Sequence, residues 1–410
     1  MFLLSEVLSG PLRYVFAQFG LEGLIYVPKA LLVVALMGIA LLSLARTRMS
    51  AVYLGAASIS AAGVLWGYVN LGMPSQVLFG LWVLVPFLIG IVIPQAILFD
   101  AKPNLSRYVF MLWAIAVFGV FANSILSWPW EGFEYELSGV EIEGARYWRT
   151  GGGISIERLA GFSRASFDAA NQILVLGTII LVLGKMRGCT IVWLLTGVAI
   201  TLTTSKTPMA IYLILSMFWL VRRWSPKGLW RSLPVVVAGA GVILPFSTIW
   251  KNYDVSSVLD SPLQGVMLHS FGDRLERMWP DTLQMVLNQG NALLGRGVGG
   301  IGMAQRYFEP VLYSPADNLA LYLFSLLGLI GLLLIGGYVT GLYILYRSRR
   351  LPLFVYMGGL IVLLSGLTVN VLESAFLALL FGVTLRYVFG ASLQSSPIDS
   401  LKSQFAQHGV

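Results

Sequence analysis

Long apolar stretches without a charge set the pattern of this chain. No Asp, Glu, Lys or Arg occurs in 49–99, and the same holds for 108–130, 169–184, 188–205, 232–250, 318–346 and 351–372. A helix needs about 20 apolar residues to cross a bilayer's hydrocarbon core. Only helices and closed barrels satisfy their backbone polar groups there. Barrel strands alternate polar and apolar residues, and these runs do not. The pattern predicts an all-α, polytopic integral membrane protein with about eleven transmembrane helices. They fall at 24–45, 51–69, 75–99, 107–127, 168–184, 189–204, 208–221, 232–250, 316–346, 351–372 and 374–390. The turn Gly72-Met73-Pro74 divides the longest stretch in two. Residues 2–20 form a further helix, which Glu6 and Arg13 favour placing at the membrane interface.

Composition agrees with this reading. Of 410 residues, 57% are hydrophobic and 11% charged, and the mean hydropathy is +0.80, whereas soluble domains carry about 25% charged residues. The one cysteine, Cys189, allows no intrachain disulfide and sits in an apolar run as a small core residue. The start, MFLLSEVLSGPLRYVF, lacks the basic region of a cleavable signal peptide.

The net charge of +8 does not point to nucleic acid, because its distribution serves orientation. One set of connections holds Arg46 and Arg48, then Lys102 and Arg107, then Lys185 and Arg187. It continues with Arg222, Arg223, Lys227 and Arg231, and ends with Arg347, Arg349 and Arg350, with only Asp100 among them. The positive-inside rule makes this side cytoplasmic. The opposite side receives two long loops, 128–167 and 251–315, which hold most of the acidic residues. The chain is then a single transmembrane domain (1–410) with two periplasmic loops and a short cytoplasmic tail, 391–410.

No P-loop, dinucleotide fingerprint or metal-ligand cluster occurs. His269 and His408 are too few for a histidine metal site or a serine–histidine relay. Gly299-Gly300-Ile301-Gly302 follows no strand pattern and reads as a turn. Whatever chemistry exists uses Arg, Lys, carboxylates and backbone on the outer face, with no cofactor.

Four polar segments could carry it. The first, 146–171, holds Arg146, Arg149, Arg158 and Arg164 around Gly151-Gly152-Gly153. Arginine forks grip phosphates bidentately, although the glutamates at 131, 134, 136, 141 and 143 could pair with them. The second is Thr203-Thr204-Ser205-Lys206-Thr207-Pro208. A lysine at membrane depth is expensive and marks a functional site, or else snorkels to a headgroup. The third runs from Phe271-Gly272-Asp273-Arg274-Leu275-Glu276-Arg277-Met278-Trp279 to Leu293-Leu294-Gly295-Arg296-Gly297-Val298-Gly299. Helical spacing puts Arg274, Arg277 and Asp281 on one side. The fourth is Ser314-Pro315-Ala316-Asp317-Asn318. Serine as N-cap, proline at N1 and aspartate at N3 make a helix start; the alternative for Asp317 is a general base at the membrane surface.

Together these segments resemble the O-antigen polymerase and O-antigen ligase superfamily over roughly residues 140–340. The resemblance rests on Arg158-Leu159-Ala160-Gly161 leading to Asn171, and on Thr203-Thr204-Ser205-Lys206. It rests further on Arg274-Leu275 to Trp279 with Leu293-Leu294-Gly295-Arg296-Gly297-Val298-Gly299, and on Asp317-Asn318 followed by Gly328-Leu329-Ile330-Gly331. Lys206 replaces the commoner arginine. Asp317 stands where ligases carry a histidine, which favours the polymerase branch.

The resemblance implies a bacterial inner-membrane glycosyltransferase that polymerises oligosaccharide repeat units linked to undecaprenyl pyrophosphate, for O-antigen or exopolysaccharide, at the periplasmic face. It implies catalytic roles for Asp317, Arg274 and Lys206, with Arg158, Arg164, Arg277, Arg296 and Asn318 binding substrate and no metal. Aromatic residues such as Trp128, Trp130, Tyr147, Trp148 and Trp279 would stack on sugars. Partners would be the bilayer, a chain-length co-polymerase and a flippase. A ligase acting on lipid A core and a transporter are the alternatives; a transporter would show broken helices, and none is evident in the sequence.

Overall fold

Glycine and proline punctuate this chain into helices where the sequence places them. Gly72 adopts φ 66°, a conformation glycine reaches without strain. Pro74 then opens the next helix after an extended Met73, where its missing N–H costs nothing. The computed structural model describes residues 1–44, 50–93, 103–137, 140–146, 157–183, 188–222, 224, 226–255 and 269–394. In chain order these form α1 (Phe2–Val7), α2 (Ser9–Gln18), α3 (Val27–Leu44), α4 (Ser50–Leu71), α5 (Pro74–Val92) and α6 (Pro103–Asn123). A hairpin of β1 (Glu134–Leu137) and β2 (Val140–Glu143) follows, paired antiparallel from Glu134–Glu143 to Leu137–Val140. Then come α7 (Ser166–Leu183), α8 (Cys189–Leu202), α9 (Lys206–Val221), α10 (Lys227–Ser247), α11 (Trp279–Gln289) and α12 (Met303–Phe308). The chain closes with α13 (Leu319–Leu327), α14 (Leu329–Arg347), α15 (Leu353–Ser365) and α16 (Ala375–Gln394).

Five helical segments are long and apolar enough to cross a membrane: Val52–Leu71, Pro74–Val92, Leu105–Asn123, Gly228–Ser247 and Leu329–Arg347. Shorter apolar helices at Ser166–Val182, Cys189–Leu202, Lys206–Val221, Leu353–Ser365 and Ala375–Ala391 pack among them. The chain is a helical membrane protein, and the hairpin is its one departure from all-α among the described residues.

The tightest crossing joins α5 to α16. A Cβ on Gly382 would strike the Phe87 carbonyl and the Gly90 Cα, and one on Gly90 would strike the Leu379 carbonyl. Lipid-embedded helices gain nothing from hydrophobic exclusion between them, so small residues that let backbones touch are what hold them. Farther along, α13 is buried from Leu319 through Leu326. At nine residues it is too short to cross a bilayer, and it ends at Gly328 (φ 61°). The expected single span 316–346 is therefore two helices with a break. The broken helix that the sequence did not show is real, and the loop 291–297 fills it: the Leu329 N–H donates to the Ala292 carbonyl (3.0 Å) and the Arg296 N–H to that of Ser325 (2.7 Å).

The N-terminal helices pack against the bundle. Val7 is fully buried, the Met1 ammonium donates to the Tyr108 hydroxyl (3.5 Å), and the Gly10 N–H donates to the Phe162 carbonyl (2.9 Å). Burial raises the Glu6 carboxyl above its usual range, and the charges of Lys29, Arg13 and Arg164 oppose that rise. The connections after α4, α6, α8, α10 and α15 meet at one end of the bundle, and the candidate chemistry lies there.

The glycine contact yields a test. Overpacking costs roughly 1–3 kcal/mol, so Gly382→Val should lower the unfolding midpoint in detergent. Gly336→Val, with nothing within 4 Å of its added carbon, should leave it nearly unchanged. Equal midpoints would show that the α5–α16 crossing yields without cost.

Candidate functional site

The site is assembled from four chain segments. Gly161 anchors the first. Its φ of 60° lets it lie flat on the backbone of α6 at Gly119 and Val120. Its N–H donates to Asn123 Oδ1 (2.9 Å), and its carbonyl accepts from the Trp130 indole (3.2 Å). Arg158, three residues earlier, is thereby held over the second segment, where its Nη2 donates to Ser205 Oγ (3.4 Å).

The second segment turns sharply. Thr204 is left-handed (φ 52°), which a β-branched residue adopts only under strain. The buried Thr203 hydroxyl donates to the Ile200 carbonyl (2.7 Å) and accepts from the Ser205 N–H (3.3 Å). Lys206 follows as the first, exposed residue of α9. Thr207 and Thr368 share a hydrogen bond (2.7 Å) that ties α9 to the turn after α15. That same turn holds the third segment: the Asn318 amide donates to the Leu367 carbonyl (3.3 Å) and the Leu319 N–H to that of Gly366 (2.8 Å).

Arg274 lies in a π-helical turn, Arg274–Met278, a widened turn frequent at functional sites. Its Nη2 donates to Asp317 Oδ2 at 2.7 Å, with the side chains 15% and 27% exposed. The pair is thus reachable from solvent yet largely desolvated. Burial raises the Asp317 carboxyl above its usual range, and Arg274 pulls against that rise. Burial also lowers the Arg158 guanidinium. The charges of Arg158 and Arg274 both act on the Lys206 ammonium. Arg158 is thus bonded beside Lys206, and Arg274 acts on Lys206 while it carries Asp317. Such a set can hold a multiply charged anion beside a proton acceptor.

Other expected residues go elsewhere. Asp317 is not at N3 and Ser314 is not the cap. Asn318 caps α13, its Oδ1 accepting from the Leu321 N–H (2.9 Å), and it is fully buried. Its amide is taken up by the fold. Ala316 and Asp317 are both left-handed (φ 60° and 41°), and the chain enters the helix only after them. Arg277 does not share a side with Arg274, because the π turn shifts the phase; it is exposed and pairs with Asp273 (3.0 Å). Arg296 is 3% exposed and bound to Glu309 (2.8 Å) and the Gly300 carbonyl (2.7 Å), which makes it a packing cation. Arg146 takes Glu143 (2.8 Å). Trp279 has no exposed surface and Trp130 is buried, so neither offers a face to a sugar. Asn171 is buried with neither side-chain atom bonded among the described residues. Arg149, the 151–153 glycines, Tyr147 and Trp148 lie outside the described residues, as does most of the expected tail.

Sequence reasoning passed over Glu373. It is the only acid between the last two apolar segments, a signal available in the sequence. Its Oε1 accepts from the Met303 N–H (2.6 Å) and the Tyr322 hydroxyl (3.2 Å), and burial pushes it up to about 7. Among the described residues no group of three His, Cys, Asp or Glu converges as a metal site. No protein-family model matches the chain, and no curated protein matches it.

Glu373 makes stability depend on pH. Its folded carboxyl titrates near 7 against an ordinary 4.5, so between those values the folded state holds a proton that the unfolded chain releases. Stability should fall as pH rises through that window, by on the order of 3 kcal/mol. Glu373→Gln should flatten the pH dependence of thermal unfolding. An unaltered slope would place the titration on another group.

Proposed function

We propose that this protein is a bacterial inner-membrane glycosyltransferase that polymerises oligosaccharide repeats carried on undecaprenyl pyrophosphate. The observation that carries the reading is the Arg274–Asp317 ion pair at the open end of the bundle, with Arg158 bonded to Ser205 next to Lys206. These residues come from the motif segments that resemble the polymerase and ligase superfamily. The expected pattern of about eleven crossings with the basic connections inside supports assigning this end of the bundle to the periplasmic face.

The reaction follows from the charges. A hydroxyl of the acceptor unit attacks the anomeric carbon of the donor unit. The new glycosidic C–O bond forms as the bond from that carbon to the pyrophosphate oxygen breaks. Undecaprenyl pyrophosphate leaves with the electron pair. Arg158, Lys206 and Arg274 stabilise the charge that grows on it, which is where fixed cations lower a barrier most. Asp317 takes the acceptor hydroxyl's proton, and its raised affinity for protons suits a base. Arg274 orients the carboxylate while also facing the leaving group. The donor is already activated, so no nucleotide is required.

Ligase activity on lipid A core is the second reading, and the carboxylate at position 317 in place of histidine counts against it. The break at Gly328 offers no support for transport. The loop 291–297 bonds one backbone group on each side of it, the Ser325 carbonyl and the Leu329 N–H, which counts against an open ion-binding helix end there.

Lys206→Ala and Arg274→Ala should each abolish polymer while the protein still inserts, with lipid-linked single repeats accumulating. Lys206→Arg keeps the charge but changes its shape and should retain partial activity. Normal polymer from both alanine variants would reject the clamp. Asp317→Asn should cost about 10²–10⁴ in rate on purified lipid-linked repeats, the loss expected for a general base. Near-normal turnover would remove Asp317 from the chemistry.

Orientation has its own test. Asn252 is exposed at the site end of the bundle. In a Cys189→Ala background, Asn252→Cys should react with an impermeant thiol reagent added from outside the inner membrane. Labelling from the cytoplasm alone would invert the topology and end the periplasmic mechanism.

A further inference from the structure

A second charged site lies under the N-terminal helices. A cavity of about 90 Å³ is lined by Ser5, Glu6, Ser9, Arg13, Tyr26, Lys29 and Trp82, with Phe2 and Ile25. Its walls are of mixed sign. Arg13 and Lys29 are cations, and Glu6 is the acid. No salt bridge joins Glu6 to either of them among the described residues, so the opposed charges share the cavity without closing it. Arg13 is fixed from behind, its Nη1 donating to the Tyr135 hydroxyl (2.8 Å), and its buried Nε has no partner. Lys29 lies over the Trp82 ring at 5.2 Å, and Arg13 over the Tyr26 ring at 5.9 Å. Arg164 stands behind the cavity: its backbone N–H donates to Ser9 Oγ (2.9 Å), and its charge acts on Glu6.

We propose that this cavity receives the carboxylate end of one acidic sugar residue, a hexuronate, of the oligosaccharide substrate. The inference rests on the polymerase reading for its biological setting and on the cavity walls for its chemistry. The two cations receive the single carboxylate of the sugar, and Glu6 with the Tyr26 hydroxyl accepts hydrogen bonds from its ring hydroxyls. Glu6 also argues against phosphate, because a dianion would meet a carboxylate in the same wall.

The test reads binding without turnover. Full-length protein in lipid nanodiscs is titrated with glucuronate, glucose and inorganic phosphate, with bound sugar detected by saturation-transfer NMR. Glucuronate should bind, and glucose at least about tenfold more weakly, the cost of losing one charge-assisted contact. Lys29→Ala should weaken glucuronate by about tenfold, while Lys29→Arg should retain it and report on folding. Lys206→Ala should not change glucuronate binding, so a failed clamp and a failed subsite give different results. Equal binding of glucose and glucuronate, displacement by phosphate, or loss of binding in Lys206→Ala with none in Lys29→Ala would overturn the proposal.

Discussion

The fastening of residues 291–319 to the helix bundle is the constraint on which the site depends. This segment has little regular structure of its own, and backbone contacts hold it. Gly297 lies against the backbone of Gly67, Gly299 against that of Gln76, and Gly295 against the Phe324 and Ser325 carbonyls. The Val298 N–H donates to the Gly63 carbonyl (2.9 Å), and the Trp66 indole donates to that of Gly295 (3.0 Å). Any side chain at these glycines would push the loop off α4 and α5. The alternating glycines are therefore a docking strip. They do for the loop what Gly90 and Gly382 do for α5 and α16. With that strip seated, Arg296 locks onto Glu309, the break at Gly328 is filled, and the chain reaches Asn318 in one register.

Much of this was legible in the sequence because apolar length and Gly/Pro punctuation are local signals. The helix starts at Pro74 and at Lys206 sit within two residues of where hydropathy and proline place them. The losses occur where tertiary bonds overrule a local rule. Ser314-Pro315-Ala316-Asp317 has every feature of a helix start, yet Asn318 is a cap as well. The bonds from Asn318 and Leu319 to the 366–367 carbonyls decide between them. A capping preference is worth about 1 kcal/mol, which several such bonds exceed. The phase of Arg277 failed for a related reason: a π turn cannot be seen in a helical wheel built on one period. Glu373 escaped notice because its partners, Met303 and Tyr322, are far from it in sequence.

Charge inside an apolar bundle is tolerated here only where geometry answers it. Arg274 answers Asp317 at 2.7 Å and Glu309 answers Arg296 at 2.8 Å. Breaking either pair by removing one partner would strand the other in a low-dielectric setting, which costs more than the pair contributes. The two pairs differ in use. Arg296 is almost fully enclosed and serves packing. Arg274 and Asp317 keep part of their surface open at the end of the bundle, and Lys206 stands exposed nearby, so that pair can exchange its interactions with an incoming anion and hydroxyl.

Backbone strain points to the same place. Left-handed conformations outside glycine cost of order 1–3 kcal/mol, and among the described residues they occur at Thr204, Ala316, Asp317 and Arg349. Three of the four lie in the two turns that present Lys206 and Asp317. Glycine would relieve each of them, yet glycine at 317 would also remove the carboxylate. The strain persists because the surroundings over-determine it: Thr203 pins the first turn, Asn318 the second, and the Thr207–Thr368 bond joins both to one connection. A carboxylate and an ammonium fixed in this way need little reorganisation when charge develops between them, and small reorganisation is the condition under which fixed charges accelerate a reaction.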